Sequence, residues 1–160
     1  MTVEKQKAEL ESLWRAIGHF VFEFSQLEHV IRSSLADALQ IDDNEQFYIV
    51  LPSIDFAQLC NVTKAIYLRT IKMGAEDQKR IEKILSQCLR INDERVSIVH
   101  GTWFKSDDGG GALHVKRTTR QRDIKYKDIE DIESLTKQVE ELKKDLAVFI
   151  TGKLRFSSAQ

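Results

Sequence analysis

Arg95 and His100 are the residues of this chain whose types and spacing point most directly to chemistry. They stand in the order R-x4-H within LRINDERVSIVHGTWF (89–104), just behind the polar cluster Asn92-Asp93-Glu94 and just ahead of Gly101. A guanidinium grips a phosphate through two parallel N–H donors and stabilises the charge that grows as phosphorus becomes five-coordinate. An imidazole can move the proton of a ribose 2′-hydroxyl or of a leaving oxygen. Such a pair suits RNA cleavage and needs no metal. The four histidines, His19, His29, His100 and His114, form no metal-ligand spacing with one another or with cysteine, so no metal and no cofactor are expected.

The spacing sets a positional problem. Five residues along an ideal helix turn a side chain by about 140° and raise it by roughly 7.5 Å. One helix therefore does not converge Arg95 and His100 on one point. Two copies packed about a two-fold axis can, and a homodimer with a composite cleft is expected, its interface including the C-terminal half of the motif helix.

The helix that carries the pair has the apolar stripe Ile81, Ile84, Leu85, Cys88, Ile91, Arg95, Val99. It starts near Glu76-Asp77, and Gly101 is its natural C′ residue. Three more helices follow from the same periodicity. The first spans about Val3 to Leu39, with the stripe Leu10, Trp14, Ile17, Val21, Phe24, Leu27, Ile31, Leu35 and with Trp14, Phe20 and Phe24 as bulk. The second carries Phe56, Leu59, Val62, Ile66 and Tyr67, capped by Ser53 and ended by Gly74. The last runs from about Asp128, with Ile129, Ile132, Leu135, Val139, Leu142, Leu146 and Phe149. Between the first two, Asp42-Asp43-Asn44-Glu45 reads as a turn and Phe47 to Leu51 as a packed connection or short strand. Trp103-Phe104 and Leu113-His114-Val115, around Ser106 to Gly111, read as a β-hairpin. No phosphate-binding glycine motif is present there. The fold class is thus all-α, an up-and-down four-helix bundle with a small β-hairpin inserted before the last helix.

Length and composition agree with one domain. The chain has 160 residues, 42% hydrophobic and 31% charged, enough for a real core. Residues 1–152 form that domain and 153–160 a flexible C-terminal tail. The net charge of -1 gives no global attraction to nucleic acid, so any such attraction must be local. Cys60 and Cys88 lie in helical patterns and read as buried thiols. No secretory leader and no membrane span is found, which reads as a soluble, cytoplasmic protein.

Two groups of residues bear on the site. Glu28 lies at the edge of the first helix's apolar face and needs a partner. Arg32, four residues on, is the nearer choice, and Arg95 across the bundle is the other. Arg15 and His19 form a similar i,i+4 pair. The basic strip 116–127 offers Arg117, Arg120, Arg122 and Lys125 for phosphates and Tyr126 for stacking on a base; the same strip also reads as a solvated connection.

The segment Arg95 to His100, with Asn92-Asp93-Glu94 before it and Gly101-Thr102-Trp103 after it, resembles the signature of the HEPN domain family. These are helical domains of many prokaryotic toxin and defence ribonucleases. The stretch FSQLEHVIRSSL (24–35) is similar to the family's first helix, and a late hairpin followed by an acidic helix is similar too. The resemblance implies that Arg95 and His100 form the active centre of a dimer that cuts RNA without metal. Asn92, Asp93 and Glu28 are read as supporting residues beside that pair, and an antitoxin or defence-system protein as a partner. In the family the position after the arginine is commonly polar, and here it is Val96. A non-catalytic dimeric adaptor is the competing reading, with Arg95 paired inside the bundle to Glu28 or Asp93.

Overall fold

The computed structural model describes residues 3–41, 45, 47, 49, 51–105, 112–115, 124–127 and 129–157. Four α-helices dominate it: α1 (Val3–Ala38), α2 (Phe56–Thr70), α3 (Ala75–His100) and α4 (Ile129–Ser157). α4 continues past Gly152, where the sequence placed the start of a tail. A 3-10 turn, Leu51–Ser53, precedes α2. Three short extended segments follow α3, β1 (Thr102–Lys105), β2 (Ala112–Val115) and β3 (Ile124–Lys127). They pair antiparallel in that order, with Trp103 opposite His114 and Leu113 opposite Tyr126. The turn residues Asp42, Asp43 and Asn44 and the glycine-rich tip 106–111 lie outside the described residues.

The helices form a bundle, but not an up-and-down one. His19 and Glu23 of α1 lie beside Glu140 and Lys143 of α4, so these two helices run parallel. α2 also runs with α1: Phe56 at its start meets Phe24, with ring centroids 4.6 Å apart, and Tyr67 near its end reaches the carbonyl of Ser34. α3 alone runs the other way, placing Arg95 at Phe24 and Arg80 at Phe149. The bundle order is therefore up, up, down, up, with one crossover between α1 and α2. Residues 39–55 join α1 to α2; their described residues 45, 47 and 49 are helical and Leu51–Ser53 is a 3-10 turn, so the described part of Phe47 to Leu51 is not the short strand the sequence allowed.

Local rules account for the helix ends. α1 closes in a Schellman motif: Ile41 N–H donates to the Ala36 carbonyl and Gln40 N–H to that of Asp37. Gln40 occupies the left-handed position, at φ 57°. α2 is capped by Asp55, whose carboxylate accepts from the Gln58 N–H at 2.8 Å, and not by the expected Ser53. Gly74 does not end α2, which stops at Thr70; it is the N-cap of α3. Gly101 caps α3 in an extended conformation, φ -79°, and not as a left-handed C′ residue.

The core holds Phe20, Leu27, Ile31, Leu35, Leu59, Tyr67, Ile81, Leu85, Ile91, Ile98 and Phe149, all buried. α4 buries Ile132, Val139, Leu142, Leu146 and Phe149 of the predicted stripe and half-buries Ile129 and Leu135. α1 buries its predicted stripe only in its C-terminal half. In its N-terminal half the buried positions are Leu13, Ala16 and Phe20, while Leu10, Trp14 and Val21 are exposed. α4, parallel to α1, draws in the side that carries Leu13 and Ala16. On α3, Ser97 and Ile98 are buried where Val99 was expected, and Val99 is exposed. No described helix is long and apolar enough to cross a membrane.

Candidate functional site

Arg95 sits in the last third of α3, half-buried, with its guanidinium over the ring of Phe24 at 5.6 Å from the centroid. That position follows from the antiparallel run of α3 against α1, which brings Arg95 to the level of Phe24 and rests its charge on an aromatic face. Among the described residues no carboxylate pairs with it.

Glu28, expected in support, forms its ion pair with Arg32 four residues on. Arg32 is half-buried and also donates to the carbonyls of Leu51 and Ile54, the latter at 2.9 Å. Glu28 is therefore part of the clamp that holds the crossover to α1 and does not reach Arg95. Asn92 is half-buried one turn before Arg95, and Asp93 is exposed.

His100 is the last residue of α3 and is exposed. It does not share a face with Arg95; helical geometry separates them as the spacing predicts. Val99, one turn after Arg95 on its face, is exposed as well. Trp103 folds back so that its Nε1 donates to the Ile98 carbonyl at 3.0 Å, which fixes how the chain leaves α3. The chain thus holds a half-buried arginine on an aromatic ring and an exposed histidine at the end of the same helix, apart from each other.

Of the predicted RNA contacts, Lys125 and Tyr126 belong to β3. Arg117, Arg120 and Arg122 lie outside the described residues.

A second cluster was missed from the sequence. His19, read as a partner of Arg15, faces Glu23 at 3.9 Å and Glu140 at 3.8 Å instead. The parallel pairing of α1 with α4 brings these three together, and their ligand atoms lie within 4.8 Å of one another. The Lys143 ammonium is bonded to the half-buried Glu23, so one cation already balances the acid. A groove nearby is lined by Ser12, Arg15, His19, Glu133 and Thr136. Only an α1–α4 direction, which periodicity does not encode, could have signalled this cluster.

The buried thiols are inert in character. Burial pushes Cys60 well above the ordinary thiol range, and the neighbouring Cys88 adds to the shift; burial raises Cys88 to about 12. No protein-family model, no curated protein and no solved structure matches this chain.

Proposed function

We propose that the chain is a metal-independent endoribonuclease of HEPN type, acting as a homodimer whose Arg95 and His100 form a composite site, in a toxin or defence role. The observation that carries this reading is the availability of both groups. Among the described residues Arg95 has no carboxylate partner and His100 is exposed, whereas a purely structural pair would be engaged inside the bundle. The β element set before the last helix belongs to the same reading, with the basic strip beside it as the phosphate-contacting surface. An antitoxin or defence-system protein is the corresponding partner.

In this mechanism Arg95 holds the scissile phosphate and His100 acts as acid or base. The 2′-hydroxyl is the nucleophile, the products carry a 2′,3′-cyclic phosphate or its hydrolysed form, and DNA is not cut. The test is cleavage of single-stranded and loop RNA by the wild type beside His100→Ala. The expected loss is about 10²–10⁴-fold, with EDTA leaving the wild-type rate intact. Replacing Arg117, Arg120 and Arg122 by Gln is expected to weaken RNA binding and flatten its salt dependence.

The alternative is a non-catalytic dimeric adaptor. The contact of Arg95 with Phe24 and the apolar Val96 beside it favour that reading. Folded protein inert on every RNA tried would select it.

A further inference from the structure

The N-terminal half of α1 carries an apolar surface that the bundle does not use. Trp14 is 61% exposed, Phe22 58%, Leu10 45% and Val21 38%. They lie within about a third of the helix circumference, since 10, 14, 18, 21 and 22 follow steps of three, four and one. With about 150–250 Å² on each large aromatic, the four expose roughly 400 Å². That is within the roughly 300–600 Å² of the largest apolar patch on a monomer, which is often functional.

Gly18 lies in the middle of this surface, four residues from Trp14 and four from Phe22. A mid-helix glycine weakens a helix, and here nothing inside the described chain requires one: a Cβ at Gly18 would meet no atom within 4 Å. Its smallness has a use only if something outside approaches the helix backbone. The spacing is also symmetric. A two-fold axis through Gly18, crossing two α1 helices antiparallel, sets Trp14 on the partner subunit's Phe22, and Phe22 on the partner subunit's Trp14. In the same register Glu11 comes opposite the partner subunit's Ser25, so the rim opposes no like charges there.

We infer that α1 dimerises with a second copy of itself about Gly18, Trp14 and Phe22 forming the reciprocal aromatic contact. The patch supplies about half of the roughly 800 Å² per partner that a stable interface needs, and the rim of Lys7, Glu11, Arg15 and Ser25 extends it. The inference rests on the proposed ribonuclease being a dimer and centres the interface on α1 rather than on the C-terminal half of α3.

Sedimentation equilibrium of the whole chain, without RNA, tests it apart from catalysis. The wild type is expected to dimerise at micromolar concentration. Gly18→Leu is expected to weaken dimerisation at least tenfold while raising the melting temperature of the monomer, because leucine favours helix and has open space. Trp14→Ala should weaken the dimer similarly with the fold unchanged. Gly18→Cys should form an intermolecular disulfide under mild oxidation, whereas Ser25→Cys should not, its copies being held about 21 Å apart along the axis. A monomeric wild type overturns the inference. So does a dimer that Gly18→Leu and Trp14→Ala leave intact, or one cross-linked through Ser25→Cys and not through Gly18→Cys. RNA cleavage without α1-dependent dimerisation would sink the interface and spare the ribonuclease; an α1 dimer inert on RNA would do the reverse.

Discussion

Arg95 stacks on Phe24 and leaves Glu28 to Arg32. The two arginines near Glu28 therefore have different duties, one holding the crossover to α1 and the other lying over an aromatic ring.

Removing Arg95 should cost little stability. Its described interaction is a cation–π contact, worth about 0.5–2 kcal/mol. Arg95→Ala is expected to melt within a few degrees of the wild type while losing RNA binding and cleavage together. Thermal melting and a cleavage assay on the same preparation check this. A large loss of stability would mark Arg95 as structural.

Arg32→Ala should behave oppositely. It strands the Glu28 carboxylate and the carbonyls of Leu51 and Ile54 at a half-buried site, at a cost of about 2–4 kcal/mol. Arg32→Lys should recover only part, since an ammonium lacks the planar fork that reaches two directions. Urea unfolding of both variants is the measurement.

Gln40→Gly should stabilise the protein by about 1 kcal/mol. Gln40 holds the left-handed backbone of the Schellman motif, where a Cβ is penalised and glycine is not. A raised denaturant midpoint with an unchanged slope is expected.

The thiols set an alkaline limit. Below the unfolded thiol pKa, near 9.0, both states keep the proton and stability is unaffected. Above it the unfolded chain ionises while Cys88 holds its proton to about 12, so stability falls with pH across that window. The slope is about 1.4 kcal/mol per unit per thiol. Cys60, shifted in the same direction, adds to it. At pH 8 a thiol reagent should label both cysteines only as fast as the protein opens; rapid labelling of the native protein would contradict their burial.

Periodicity made the helices legible because each buries a stripe. It succeeded best on α4, where Ile132, Val139, Leu142, Leu146 and Phe149 of the predicted stripe are buried, while Val148 off that stripe is exposed. It failed in the first turns of α1, where Leu10-Trp14-Val21 and Leu13-Ala16-Phe20 both keep helical steps. Only the neighbour decides which is buried. Direction was not legible either, for an apolar stripe reads the same whether its partner runs parallel or antiparallel. That error hid the His19, Glu23 and Glu140 cluster. The separation of Arg95 from His100 was legible, because it depends on helical pitch alone. The pairing of Glu28 with Arg32 was legible from their i,i+4 spacing; the further bonds of Arg32 to the carbonyls of Leu51 and Ile54 were not, since no side-chain pattern announces them.

The pairing of α1 with α4 has a consequence for how the chain comes to be folded. The most extensive helix contact joins α1 to α4, the two helices farthest apart along the described sequence. During synthesis the apolar side of α1 stays without its main cover until α4 has been made, whereas α2 and α3 can pair as neighbours through a short link. Closing so long a loop is entropically costly and slows folding relative to a bundle of sequential hairpins. A chain cut short before α4 would leave Leu13, Ala16 and Phe20 open to water, and with them a surface prone to aggregate.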